Sequence, residues 1–347
     1  MKQDAKWCLF ILERKESFME IGKLDWNDLK EIIDKNRAVK REDVRIRGDI
    51  GEDCSVINFG DKECVVSTDP ITGADLNSGR LAVHINCNDI ASCGVEPVGI
   101  LVTILAPENS CLEDINKIME EVSEEAGKLN VEILGGHTEV TKAVNRMVIS
   151  CTAIGKGEKD KAVATSGAKK DDDIVVTKYL CLEGTSIIVN DFEEKLKDIL
   201  TTEEIEKAKG YIKHISVVKE GVLSGKFGVN SMHDVTEGGL LGALWEVAKA
   251  SKVGFKVYDD RIPLTEITMK ICRKYSVDPL RFISSGSMLI TTEDGKGLVH
   301  MLKSNGIKAS IIGKVTEESY KLVCSGKEKK ITPPKSDELF ILEEKLK

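Results

Sequence analysis

The chain has 347 residues, enough for two domains of ordinary size. Apolar residues make up 41% and charged residues 31%, a globular and well-solvated balance, and aromatics are only 5%, so the cores must be aliphatic. The net charge of −8, with no basic stripe, argues against nucleic acid as a main partner, because phosphate binding needs clustered Lys and Arg.

In chain order, the apolar stretch Trp7–Leu12 comes first and is far too short to span a membrane. Glu13, Arg14, Lys15 and Glu16 follow it at once. It reads as a strand or arm in an N-terminal extension over residues 1–18 of a soluble, cytoplasmic protein. Residues 25–36 carry a helical pattern, with Trp26, Leu29, Ile32 and Ile33 on one side. Strands are predicted at Ser55–Phe59 and Glu63–Thr68, joined by a tight hairpin at Gly60-Asp61. Then come a helix over Ser78–Cys93, a strand over Val98–Leu105, an amphipathic helix over Leu112–Leu129, and strands at Val131–Leu134 and Met147–Gly155.

The charged segment Gly157–Asp173 reads as an inter-domain linker. The second half opens with a strand at Ile174–Lys178 and helices near 185–192, 202–209 and 215–224. A helix at Gly239–Lys249, a strand at Val253–Val257 and a helix at Leu264–Tyr275 follow. Strands at Ser287–Thr291, Ala309–Gly313 and Tyr320–Cys324, with a helix near 295–304, complete a second α/β layer domain.

Ten cysteines are scattered with no CxxC pair, which argues against a zinc site. They read as reduced thiols used as small core residues. The sequence also lacks GxxxxGK[ST], GxGxxG after a strand, HExxH, an EF-hand loop and GxSxG. Any nucleotide site must therefore be built without a phosphate loop.

Five segments carry candidate chemistry. On the helix 78–93, Asp89 is the only formal charge between Arg80 and Glu96, and Asn86 shares its face. A carboxylate on a buried helix is costly unless it is paired or bound to metal. Asp69 ends an apolar strand in VVSTDPIT, where a turn-forming Asp before Pro is the plain alternative. Glu52-Asp53 precedes the strand in IGEDCSV. In GGHTEVT, Gly135 and Gly136 allow close backbone approach, and His137 and Glu139 point the same way if the chain stays extended. In HDVTEGGL, Asp234 can cap, and Gly238-Gly239 open a helix whose N-terminus favours anions. The spacing of His233 and Glu237 imitates a metal pair, but the glycine-rich approach is not mid-helix. The acids come without soft ligands, a donor set that suits Mg²⁺ bridging carboxylates and phosphates.

The segments GEDCSV, STDPITG, NCNDIASCGVEPV, GGHTEVT, DVTEGGL and SSGSMLI resemble, in order and spacing, the PurM-like (AIR synthase-related) superfamily. The resemblance covers roughly residues 20–325 and is nearest to the HypE branch of hydrogenase maturation. It implies an α+β / α/β two-domain fold. The N-terminal domain, residues 19–160, pairs with that of a second subunit into a shared β-barrel, and residues 161–347 form the C-terminal domain. It implies a homodimer using ATP and Mg²⁺ in a cleft between the domains.

Carried over by position, Asp53, Asp69, Asp89 and Asp234 would hold metal. Thr68, Asn86, Gly135, Gly136, His137, Thr138, Gly238 and Gly239 would hold nucleotide. Glu237 or Glu139 would steer the acceptor. Relatives usually carry an acid where His137 stands, and Glu139 is the nearest replacement. HypE proteins that form cyanide carry the carboxamide on a terminal Cys, whereas this sequence ends ELFILEEKLK. Cyanide formation by this chain alone is therefore not expected. Selenophosphate synthesis also fits poorly, since the region around Cys8 lacks the glycine-rich loop.

The expected function is phosphorylation of a carbonyl- or amide-type oxygen of a small molecule. The alternatives are a non-catalytic nucleotide-binding maturation or assembly factor acting on a partner protein, and a kinase resembling thiamin-phosphate kinase.

Overall fold

A stretch of fifteen residues with one acid and no lysine cannot lie on a surface, and Ser78–Ser92 is accordingly a helix with thirteen residues buried. It is the central element of the fold. The computed structural model describes residues 24, 26–37, 39–71, 77–333 and 337–347. The expected extension over residues 1–18, with its strand or arm at Trp7–Leu12, lies outside the described residues.

Residues up to Val39 form a unit of their own, whose described part is helix α1 (Trp26–Asn36). The rest of the chain begins with strands β1 (Val44–Ile46), β2 (Ser55–Phe59) and β3 (Lys62–Ile71), then helix α2 (Ser78–Ser92). Strand β4 (Glu96–Ala106), helix α3 (Leu112–Leu129) and strands β5 (Glu132–Val140) and β6 (Val148–Glu158) follow. Gly60-Asp61 makes the expected hairpin, with Phe59 opposite Lys62. Helix α3 begins where the Asp114 carboxylate accepts the Cys111 backbone N–H at 2.9 Å, and it ends at Asn130 in the left-handed region.

The first sheet runs β1-β2-β3-β6-β4-β5, antiparallel except for the parallel β4–β5 pair. Its aliphatic core against α2 and α3 includes Val56, Val65, Ile90, Ile100, Ile104 and Val122. Strand β5 is longer than expected and runs straight through Gly135 and Gly136, with φ of +149° and +151°. A Cβ on Gly136 would sit 1.8 Å from the Val102 carbonyl oxygen, so only glycine lets the strand pair there. Strand β1 carried no sequence signal.

The second half contains β7 (Asp173–Thr177), α4 (Leu182–Asp191), α5 (Glu193–Leu196), α6 (Thr202–Lys209), α7 (Val218–Phe227), β8 (Ser231–Val235), α8 (Gly239–Ser251) and β9 (Gly254–Tyr258). It continues through α9 (Glu266–Tyr275), β10 (Ser287–Thr292), α10 (Gly295–Ser304), β11 (Ala309–Thr316), β12 (Tyr320–Cys324), β13 (Lys327–Lys330) and α11 (Glu338–Leu346). Its sheet runs β13-β12-β9-β11-β7-β10-β8, and only β9–β12 is parallel. Sequence reading missed β8, β13 and α11. Strand β8 is buried along its whole length yet reads SMHDV, so neither alternation nor an apolar run marks it.

Helix α2 joins the two halves. A Cβ on Gly221 of α7 would lie 2.3 Å from the Ala91 carbonyl oxygen, and one on Gly225 2.6 Å from the Gly94 Cα. Asn88, fully buried, donates to the Ile215 carbonyl at 2.9 Å and accepts the Val217 N–H at 2.8 Å.

Candidate active site

The loop Asp49–Glu52 closes on itself through paired backbone bonds of 3.1 and 3.0 Å. Gly51, at φ +77°, lies so near α8 that a Cβ would reach the Glu246 carbonyl oxygen at 3.0 Å. Glu52 accepts the N–H groups of Thr165 (3.2 Å) and Ser166 (2.7 Å), fixing the loop to the connection between the sheets. Asp53 is thereby set beside β8, with Oδ2 3.2 Å from His233 Nδ1.

Asp69 sits near the end of β3. Its N–H donates to Asn86 Oδ1 at 2.8 Å, and the Asn86 amide also donates to the Ala82 carbonyl at 2.9 Å. Asn86 is fully buried and bound to backbone, so its visible role is to hold the strand end against α2. One turn on, Asp89 is buried and accepts the Ser67 hydroxyl at 2.7 Å. Asp234, on β8, is buried as well, and its Oδ2 has no hydrogen-bond partner.

Four sequence-predicted acids from separate segments thus converge. Burial pushes the Asp89 carboxyl well above its ordinary value, and the charges of Asp234, Asp53 and Asp69 add to this, opposed by the Ser67 hydroxyl. Burial, with Asp53 and Asp69, lifts Asp234 to about 7 against the pull of His233. Burial disfavours the His233 imidazolium, but Asp53 and Glu246 outweigh it and raise the group to about 9. Like charges gathered out of water relieve each other by taking up protons, or by binding cations. The orphaned Asp234 oxygen and the all-oxygen lining at Asp69 and Asp89 fit a divalent ion such as Mg²⁺ bridging to phosphate.

The other predicted residues fall elsewhere. Thr68 is exposed on the opposite face of β3 from the buried Ser67, and its hydroxyl donates to the Cys151 carbonyl at 3.1 Å. Gly135, Gly136, His137, Thr138 and Glu139 lie on β5, three strands away from β3. His137 and Glu139 do point the same way, with Nε2 and Oε2 3.2 Å apart, and both are exposed.

Gly238 and Gly239 are left-handed at the start of α8, and a Cβ on Gly239 would meet the Phe282 carbonyl oxygen at 2.7 Å. The Gly238 N–H is already taken by Asp337 Oδ2 at 2.6 Å. Asp337 also accepts the N–H groups of Ile283 (3.1 Å) and Leu339 (2.7 Å), so the chain supplies its own anion to this helix start. Burial still lifts Asp337 to about 7, with these backbone bonds opposing. The charge of Glu237 raises both Asp337 and the buried Glu183. Asp234 does not cap a helix as expected, because it is part of β8.

Sequence reasoning set His233 aside. In the structure it is buried, its Nε2 donates to Glu246 Oε2 at 2.8 Å, and its Nδ1 faces Asp53. The only hint in sequence was a His beside an Asp, since Glu246 lies a helix away.

Comparison with known proteins gives a consistent picture. Residues 51–156 match the N-terminal domain, and residues 169–325 the C-terminal domain, of the AIR synthase related protein family. A protein of Methanocaldococcus jannaschii named for hydrogenase expression and formation is 30% identical over 86% of this chain and 89% of its own length. A carbamoyl dehydratase HypE of Rhizobium leguminosarum bv. viciae is 23% identical over 77% of this chain and 78% of its length. In a HypE–HypF complex, the matching chain has a TM-score of 0.72 at 22% identity, covering 88% of this chain and 98% of its own. A HypE solved with ATP has a TM-score of 0.65 at 18% identity, covering 89% and 91%. No helix among the described residues is long and apolar enough to cross a membrane. The chain belongs to the PurM-like, AIR synthase-related superfamily, near HypE.

Proposed function

We propose that this chain is an ATP-dependent enzyme that phosphorylates a carbonyl- or amide-type oxygen of a small molecule, with Asp53, Asp69, Asp89 and Asp234 holding Mg²⁺ against the triphosphate. The observation that carries this reading is the pair of buried aspartates, Asp89 and Asp234, whose burial and repulsion by Asp53 and Asp69 leave them in need of cations. The HypE solved with ATP, a fold relative, supports it.

Bound Mg²⁺ would offset charge on the β- and γ-oxygens. The chain's own contribution is placement: Asn86 holds the backbone of Asp69, Ser67 holds the Asp89 carboxylate, and Glu52 fixes the Asp53 loop. We assign Glu237 to steer the acceptor; its charge is felt by the buried Glu183. Glu139, on β5, can do so only if that strand belongs to a site shared between subunits.

A homodimer formed through the open edge β5 would supply such sharing. Val98, Leu101, Leu134 and Val140 are 44%, 40%, 49% and 58% exposed along β4 and β5, an apolar surface beside the edge strand among the described residues. Replacing Leu101 and Leu134 together by Lys is expected to convert a dimer to a monomer in light scattering, and an unchanged mass would remove this surface from consideration.

The experiment for the activity is an Mg-ATP turnover screen across amides, amines and phosphorylated metabolites. Turnover stimulated by one class, and lost in Asp69→Asn, supports the reading; wild-type turnover in Asp69→Asn and Asp89→Asn alike overturns the site. Accumulation of a phosphorylated acceptor identifies a kinase of the thiamin-phosphate type. The HypE–HypF complex favours a second reading, a nucleotide-binding maturation or assembly factor. Tight ATP binding without turnover on any substrate would select it.

A further inference from the structure

Four lysines line up across the second sheet. Lys314 of β11 lies opposite Lys256 of β9, Lys256 opposite Lys321 of β12, and Lys321 opposite Lys330 of β13. Residues opposite one another share a face, so the four side chains leave the sheet in one row, on strands about 4.8 Å apart. Their neighbours along the strands, Phe255, Val257, Val315 and Leu322, point the other way and are buried in the core. Lys314 and Lys330 are exposed, and Lys256 and Lys321 are half-buried. The sequence hides the row, because each lysine comes from a different strand of a chain whose net charge is −8. Like charges directly opposite one another destabilise a sheet. Lysines on β13 alone would serve to guard an open edge, but β9, β11 and β12 are interior strands. Two carboxylates of the chain already answer the row. Glu328 pairs with Lys256 and Lys321 at 2.7 Å each, and Asp173 lies 3.0 Å from Lys314. Lys330 has no ion pair among the described residues, so four cations share two acids.

We infer that this row is a docking surface for an acidic segment of a partner protein. The four lysines span about 14 Å, which an extended stretch of about five residues covers. Glu328 shows how a carboxylate is received: it binds two neighbouring lysines at once. Carboxylates of the partner fit the same way between Lys314 and Lys256, and between Lys321 and Lys330. Nucleic acid is the other polyanion that a lysine row attracts, but a single strand also needs aromatic rings to stack on. Tyr258, which shares this face with Lys256, is covered by the Arg261 guanidinium, 4.4 Å from its ring centre. The inference goes beyond the nucleotide-site reading and does not depend on it.

The test uses the full chain and a fluorescein-labelled peptide of alternating Glu and Ser, about ten residues long, read by anisotropy at about 50 mM salt. The peptide should bind at least about 10-fold more tightly than its Gln–Ser counterpart and than an oligothymidylate of equal charge. Replacing Lys314 and Lys330 together by Gln should weaken binding about 5- to 20-fold. Lys117→Gln with Lys207→Gln, the same charge change on α3 and α6, should leave it within about 2-fold. Glu328→Gln should tighten it about 2- to 5-fold, by freeing Lys256 and Lys321. All five side chains are exposed, and matched melting curves confirm that each variant is folded. Binding no tighter than that of the Gln–Ser peptide, equal losses in the two double variants, or no gain in Glu328→Gln overturns the inference. Equal or tighter binding of the oligothymidylate gives the row to nucleic acid and overturns it too. So does a lower mass of the Lys314→Gln, Lys330→Gln variant in light scattering, which would give the row to a second copy of the chain.

Discussion

Asp89→Asn is expected to lower Mg-ATP turnover by about 100- to 1,000-fold while leaving the metal-free protein as stable as wild type or about 1 kcal/mol more stable. The two effects share one cause. Asp89 is buried among Asp234, Asp53 and Asp69, so its charged form is useful only when a cation is present. Asparagine keeps the shape and an acceptor for the Ser67 hydroxyl, and its amide can donate to the neighbouring carboxylates. The pH dependence has a definite sign. The folded protein holds a proton on Asp89 that the unfolded chain releases above about 3.8, so wild-type stability falls as pH rises from there toward the elevated folded value. Chelator-treated Asp89→Asn should show a flatter stability curve over that interval. Urea denaturation at several pH values measures this. A variant that is both less stable and fully active would remove Asp89 from the metal-binding set.

Asn88→Ala is expected to cost about 2–4 kcal/mol, the largest loss of stability we anticipate from one side-chain truncation. It strands the Ile215 carbonyl and the Val217 N–H inside the protein, at about 1–3 kcal/mol each. Asn88→Asp still accepts from Val217 but sets a carboxylate against the buried Ile215 carbonyl, so it should cost no less. Shifts of the urea midpoint at constant slope give both numbers, and a loss below about 0.5 kcal/mol for the alanine variant would show that water replaces the amide.

Both variants concern α2, and α2 was also the most legible part of the sequence. A run of fifteen residues with a single acid declares its burial, and Asp89 stood out for that reason. The hairpin at Gly60-Asp61 and the amphipathic α3 were equally plain, because turn chemistry and the helical period are local signals. The rest depended on contacts across the chain. Nothing near SMHDV announces a strand, since its histidine and aspartate turn toward groups contributed by the first half and by α8. Asp337 was invisible for the same reason: its three donors come from Gly238, Ile283 and Leu339. Asn86 shares the helix face with Asp89, and its side chain serves the backbone of β3. Superfamily motifs brought the four aspartates to attention, and geometry added His233 and Glu246.

The glycines of α7 bear on how this protein can move. Gly221 and Gly225 let that helix touch the backbone of α2 at Ala91 and of the turn after it at Gly94, closer than any side chain would permit. A buried amide bolted across the same seam ties the two layers further together. The two layers should therefore melt together, and a nucleotide bound as proposed would enter by rearrangement of loops rather than by the opening of a jaw.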